Sequence, residues 1–164
     1  MPKPPDYPDA PPGQSTPWQA LSLFLGLIDE GPDRARINNI HHMACRNLEK
    51  AAKMIVEEAQ RVIGTYEYGW PPLKPATVAR KEADTPLYET GALRDSIGYE
   101  VQCDQLTASV GSNDPVAVFQ ELGTVTIPPR SFLMGAAMHK EAEIVYMTGV
   151  DIHAMILQEI DENG

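Results

Sequence analysis

Between Leu87 and Met134 the chain sets its turn residues and apolar alternation in an order that few folds can satisfy. Thr90-Gly91 marks a capped turn that holds Leu93. Ile97, Tyr99, Val101 and Cys103 then alternate with Gly98, Glu100 and Gln102, which is the period of a half-buried strand. Asp104-Gln105 turns the chain into a second run, where Ala108 and Val110 alternate with Thr107 and Ser109, and the two runs predict an antiparallel hairpin. Asp114-Pro115 starts a helix that runs through Leu122 and stops at Gly123. Val125 and Ile127 alternate with Thr124 and Thr126 as a third short strand. Pro128-Pro129 ends it by withholding ladder donors, and Arg130 is expected on a rigid, exposed corner. The stretch contains no nucleophile–base pair, metal box or phosphate loop, so its information is geometric and points to assembly.

Helical periodicity flanks this segment. Asp33 opens a long helix in which Ile37, Ile40, Ala44, Leu48, Ala51, Ile55, Ala59 and Val62 recur at steps of three and four, and Gly64 ends it. Before it, Thr16-Pro17-Trp18-Gln19 starts a helix to about Glu30 that is apolar over most of its circumference and needs cover on more than one side. Residues 65–75 form an aromatic and proline-held loop with Trp70 as its buried anchor, and Pro75 starts a short helix through Ala83. Residues 131–147 are compatible with a helix, and Asp151 restarts a last one through Ile160. The first 17 residues hold seven prolines and cannot pack a core. The expected architecture is α+β: a small antiparallel sheet packed with a long N-terminal helix and C-terminal helices. Residues 1–17 are an extended arm and residues 18–164 a single domain.

Twenty-three acidic against 13 basic side chains give a formal charge of −10, which opposes tight docking on nucleic acid or anionic lipid. The basic residues between Arg34 and Arg61 are diluted by glutamates, so a DNA-binding stripe is missing. Cys45 and Cys103 lie far apart with no metal spacing and are expected to be reduced. His41 and His42, being adjacent, point about 100° apart and cannot share one metal as an i, i+4 pair could. His139 and His153 have no carboxylate spaced beside them, and with Asp151 they assemble no hydrolase site. The apolar run Leu21–Ile28 is shorter than a membrane span and follows an acidic leader, so folding in the cytoplasm is expected.

Taken together, Trp70-Pro71-Pro72-Leu73 with Thr77 and Lys81, Leu87 with Thr90, Gly91, Leu93, Ser96 and Ile97, then Gly111, the run Phe119–Thr124, and Ile127–Leu133 resemble the virion morphogenesis, or tail-completion, proteins of tailed bacteriophages. The resemblance covers residues 34–160. It implies a structural protein of the neck without catalytic activity, cofactor or metal. In such a protein the subunits form a homo-oligomer, a hexameric ring at the head-proximal end of the tail. Partners would be other neck proteins and the tail terminator or tail tube. DNA would be only passing cargo, the membrane would not be involved, and the location would be the virion after assembly in the host cytoplasm. On this resemblance Trp70, Pro71, Thr90, Gly91, Leu93, Gly123, Pro129, Arg130, Phe132 and Leu133 carry the structural motif or subunit interface. The arm, the apolar helix and Ser131, where the family often has proline, depart from the pattern. The alternative within the class is the tail terminator that caps the tail tube.

Overall fold

The computed structural model describes residues 34–163, so the expected arm at 1–17 and helix at 18–30 lie outside the described residues. The element order is α1 (Arg34–Val62), α2 (Pro75–Lys81), α3 (Ala92–Asp95), β1 (Ile97–Gln102), β2 (Thr107–Ser112), α4 (Val116–Leu122) and α5 (Leu133–Asn163). The fold is α+β, with one two-stranded antiparallel sheet among the described residues. Residues 40–146 make one compact unit; the described part of the other comprises 34–39 and 147–163, where Ile156 is buried.

α1 forms where the apolar spacing demands it and ends as Gly64 takes a φ of +94°. Its Ala59, Val62 and Ile63 are buried in the core of the larger unit. Farther back the deepest positions are Met43, Asn47 and Ala52, one residue off the expected stripe, and Ile37 is exposed. Trp70, Leu93, Ile97, Ala117 and, one turn apart at the start of α5, Phe132 and Ala136 complete that core. Phe132 is fully buried, so its ring alone contributes on the order of 2 kcal/mol of apolar burial.

The hairpin pairs Ile97 with Ser112 at its open end and Gln102 with Thr107 beside the turn. Only Ile97 on β1 is buried, so the strand is less covered than its alternation predicts. α1 lies along it: Gln60 Nε2 donates to the carbonyls of Arg94 and Ile97, and the Tyr99 hydroxyl donates to Glu49 at 3.4 Å. The same juxtaposition joins Cys45 to Cys103 in a disulfide, with Cα atoms 5.2 Å apart, which corrects the expectation of two reduced thiols. Fifty-eight residues separate them, and only the docking of α1 on β1 brings them together.

Two element predictions are corrected. Residues 124–127 form a tight turn instead of a third strand, because the Thr124 hydroxyl accepts the amides of Thr126 and Ile127 and the Thr124 amide donates to the Ile127 carbonyl at 2.8 Å. These local bonds consume groups that a ladder would need. The C-terminal region is one 31-residue helix, α5, rather than two. Gly149 costs such a helix about 1 kcal/mol relative to alanine, too little to break it.

Candidate functional site

Of the motif residues, Gly123, Pro129, Arg130, Phe132 and Leu133 lie at the joint between α4 and α5. α4 starts at Val116 with Pro115 at the cap position, one residue later than the expected Asp114 cap, although the Asp114 carboxylate still accepts the Val116 amide at 2.9 Å. It ends at Gly123, where φ is +75° and ψ 175°. A Cβ there would lie 2.8 Å from the Pro129 nitrogen and 2.9 Å from the Ile127 carbonyl oxygen. Only glycine allows the 124–127 turn to fold back on the helix end.

Glu121, on the last turn of α4, reaches across this joint. Its carboxylate accepts the amides of Phe132, Leu133 and Met134 at 2.8, 3.0 and 3.0 Å and the Ser131 hydroxyl at 2.5 Å. The first amides of a helix have no intrahelical acceptor, and here a side chain from another helix supplies it with the negative charge the dipole favours. The Ser131 amide takes no part in this set. A proline at 131 would therefore forfeit only the hydroxyl bond.

Arg130 is buried, at 6% exposure, against the expectation of an exposed corner. Pro128-Pro129 turn it inward, where its amide donates to the Gln120 carbonyl at 2.7 Å and its Nη2 to the Pro71 carbonyl at 3.0 Å. Pro71 thus serves through its backbone. Trp70 beside it is buried and meets the Tyr68 ring edge-on, with centroids 5.7 Å apart. The cap position of α3 is Gly91 and not the expected Thr90, whose hydroxyl nevertheless accepts the Ala92 amide at 3.3 Å. Leu93 and Phe132 are core, Leu133 packs partly buried against them, and Pro129 is exposed. Trp70, Leu93, Phe132 and Leu133 are thus brought together; Thr90 and Gly91 stand at the α3 turn, and Gly123 and Pro129 at the loop.

A polar cluster that the sequence conceals lies on α1. Glu58 is 5% exposed at its side chain and accepts from Arg61 Nε and Nη2 and from the Tyr68 hydroxyl, each at 2.8 Å. His139 Nδ1 of α5 lies 3.0 Å from the same carboxylate, so this histidine does have an acidic neighbour, 81 residues away. Arg61 also bridges to Glu67. Gly135 makes room for the arrangement, since a Cβ there would lie 2.7 Å from the Tyr68 ring. Hydrogen bonds from Arg61 outweigh desolvation and hold the Glu58 carboxyl at about 2, while burial and the neighbouring carboxylate push the Tyr68 phenol up. A carboxylate so firmly ionised is an anchor, unsuited to exchanging protons near neutrality. Among the described residues no His, Cys, Asp and Glu group is arranged to hold a metal, and no helix is long and apolar enough to cross a membrane.

The depressed Glu58 pKa has a testable consequence. On acidification the unfolded chain takes up the proton first, near 4.5, so the stabilisation is complete above that pH and is lost as pH falls towards about 2. Glu58→Gln should therefore lower stability at neutral pH and flatten its acid dependence by roughly 2 to 3 kcal/mol across that window, as read from urea midpoints. An unchanged pH profile would show that the cluster contributes nothing to folding.

Two surfaces remain open. On α4 and the turn after it, Val118, Phe119, Leu122 and Val125 are exposed, Val125 completely, and Met134 and Met138 are exposed at the start of α5. Separately, a cleft of about 670 Å³ lies among α2, α3 and the 126–130 segment.

Residues 35–123 match the model of the HK97-gp10-like family, described as "Bacteriophage HK97-gp10, putative tail-component". No curated protein and no solved structure matches the chain significantly.

Proposed function

Because the chain belongs to the HK97-gp10-like family of bacteriophage tail components, we propose that it is a structural subunit of the phage neck, assembling into a hexameric ring around the DNA channel at the head-proximal end of the tail. The observation that carries the self-assembly is the exposed apolar face of Val118, Phe119, Leu122 and Val125. Four large apolar side chains held in water on one short helix and its turn fit a surface made to be covered, and identical copies can cover it in a closed ring. The Glu121 bonds hold that helix rigidly to α5, so the face is preformed. The role requires no turnover and no cofactor. Other neck proteins and the terminator or tail tube would meet the ring's two ends. The acidic balance of the chain suits a lumen that lets DNA pass without retaining it.

Native mass spectrometry of the full chain tests this reading. A six-copy assembly is expected, and Leu122→Asp with Val125→Asp should dissolve it while leaving the melting temperature of the subunit nearly unchanged, because both side chains are already exposed. A chain that stays monomeric at every concentration would overturn the ring. Density of the whole particle then separates a neck ring from a terminator by whether the ring sits against the tail tube.

A further inference from the structure

The cleft among α2, α3 and the 126–130 segment is rich in hydrogen-bond donors. Lys74, Arg80, Lys81 and Arg130 line it with the Gln120 amide, against two carboxylates, Glu89 and Asp114. Both carboxylates are engaged: Glu89 takes Arg80 at 2.8 Å, and Asp114 takes the Val116 amide. Lys81 donates to the Thr85 carbonyl at 2.7 Å, and burial pushes its ammonium pKa down. Arg130, more than nine-tenths buried, has no acceptor for its Nε among the described residues. That Nε is sealed from the cleft, so what Arg130 offers an occupant is its fixed positive charge in the cleft wall. Leu73 and Ile127 give the same cleft apolar walls.

The sequence contains a segment with the opposite chemistry. Residues 4–12, PPDYPDAPP, hold five prolines, two aspartates and no basic residue. Proline keeps its carbonyl but has no N–H, so the segment is rich in acceptors and poor in donors, and its preferred extended helix loses little entropy on docking. Such segments bind in grooves that supply apolar walls and donors to their free carbonyls. Twenty-one residues separate this segment from the first described helix, a contour of up to about 75 Å through which it can reach a neighbouring copy.

We infer that this cleft receives residues 4–12 of a second copy of the chain, Asp6 and Asp9 meeting the cationic side and the prolines lying on the apolar walls. The inference rests on the reading of the chain as a self-assembling subunit, and it gives the arm a specific seat in the assembly.

The test uses full-length chains carrying the photo-cross-linker p-benzoylphenylalanine in place of Tyr7, with ¹⁵N-labelled and unlabelled protein mixed before assembly. Irradiation is expected to yield mixed-isotope cross-links from position 7 to peptides containing residues 72–81 or 126–130. Lys74→Glu with Arg80→Glu should cut their yield at least about fivefold, and Asp6→Lys with Asp9→Lys should restore it. Links confined to chains of one isotope would place the arm in its own cleft and overturn the inference, as would links elsewhere or none. Native mass spectrometry of the same mixture keeps the two readings apart: an intact ring without these links refutes only the arm's seat, whereas a monomer refutes the ring.

Discussion

Gly123→Ala is expected to cost the subunit about 3 kcal/mol and to lower its melting temperature by about 8 °C. Two effects add. With φ at +75° and ψ at 175°, the residue occupies a backbone region that is essentially closed to side chains. The new methyl would also stand 2.8 Å from the Pro129 nitrogen and 2.9 Å from the Ile127 oxygen. Both neighbours are backbone, and Pro129 is fixed by its ring, so neither yields easily. Thermal unfolding of the isolated subunit reads the effect directly. If Gly123→Ala melts with the parent chain, the loop adopts another path in solution and the packed turn described here is wrong.

Glu121→Ala should destabilise by a comparable amount, on the order of 3 kcal/mol, because it strips a carboxylate from three helix amides and a hydroxyl at once. Glu121→Gln retains one carbonyl oxygen and should recover part of the loss. The ordering parent, glutamine, alanine in denaturant midpoints is the diagnostic result. Equal losses for the two variants would mean that charge alone matters there, and no loss would mean that water replaces the cap. Because α4 also carries the exposed apolar face, Glu121→Ala should impair assembly beyond what its stability deficit explains.

Those two positions show how far the sequence could be read. Gly123 was legible as a helix stop, and α1, the hairpin and α4 follow from periods and turn residues that act within a few positions of themselves. The misreadings concern competition or distance. Val125 and Ile127 alternate like a strand, but the Thr124 hydroxyl captures the local amides first, and periodicity does not register a side-chain acceptor. Residues 131–147 and the stretch from Asp151 read as two helices, although Gly149 between them costs little beside the single helix that spans it. Arg130 reads as exposed because Pro128-Pro129 suggests a rigid outward corner, whereas its burial depends on Pro71, 59 residues away. Glu58 with His139, Glu121 with the start of α5, and Cys45 with Cys103 are tertiary pairs that spacing alone cannot announce. The motif residues themselves were recognisable as a set through the family resemblance, yet Glu121, which lies within the resembling run, was not singled out as a site residue, because its bonds to the start of α5 are tertiary.

The Glu121 cap also reverses the usual order of amide lability along α5. At an ordinary helix start the first amides face solvent and trade their hydrogens for deuterium almost as fast as a loop does. Here the amides of Phe132, Leu133 and Met134 are bonded to a carboxylate from another element, so their protection reports the α4–α5 joint rather than local fraying. Slow exchange at these three positions is thus a built-in gauge of whether the two helices stay clasped, readable in the free subunit and again after the subunit joins its neighbours.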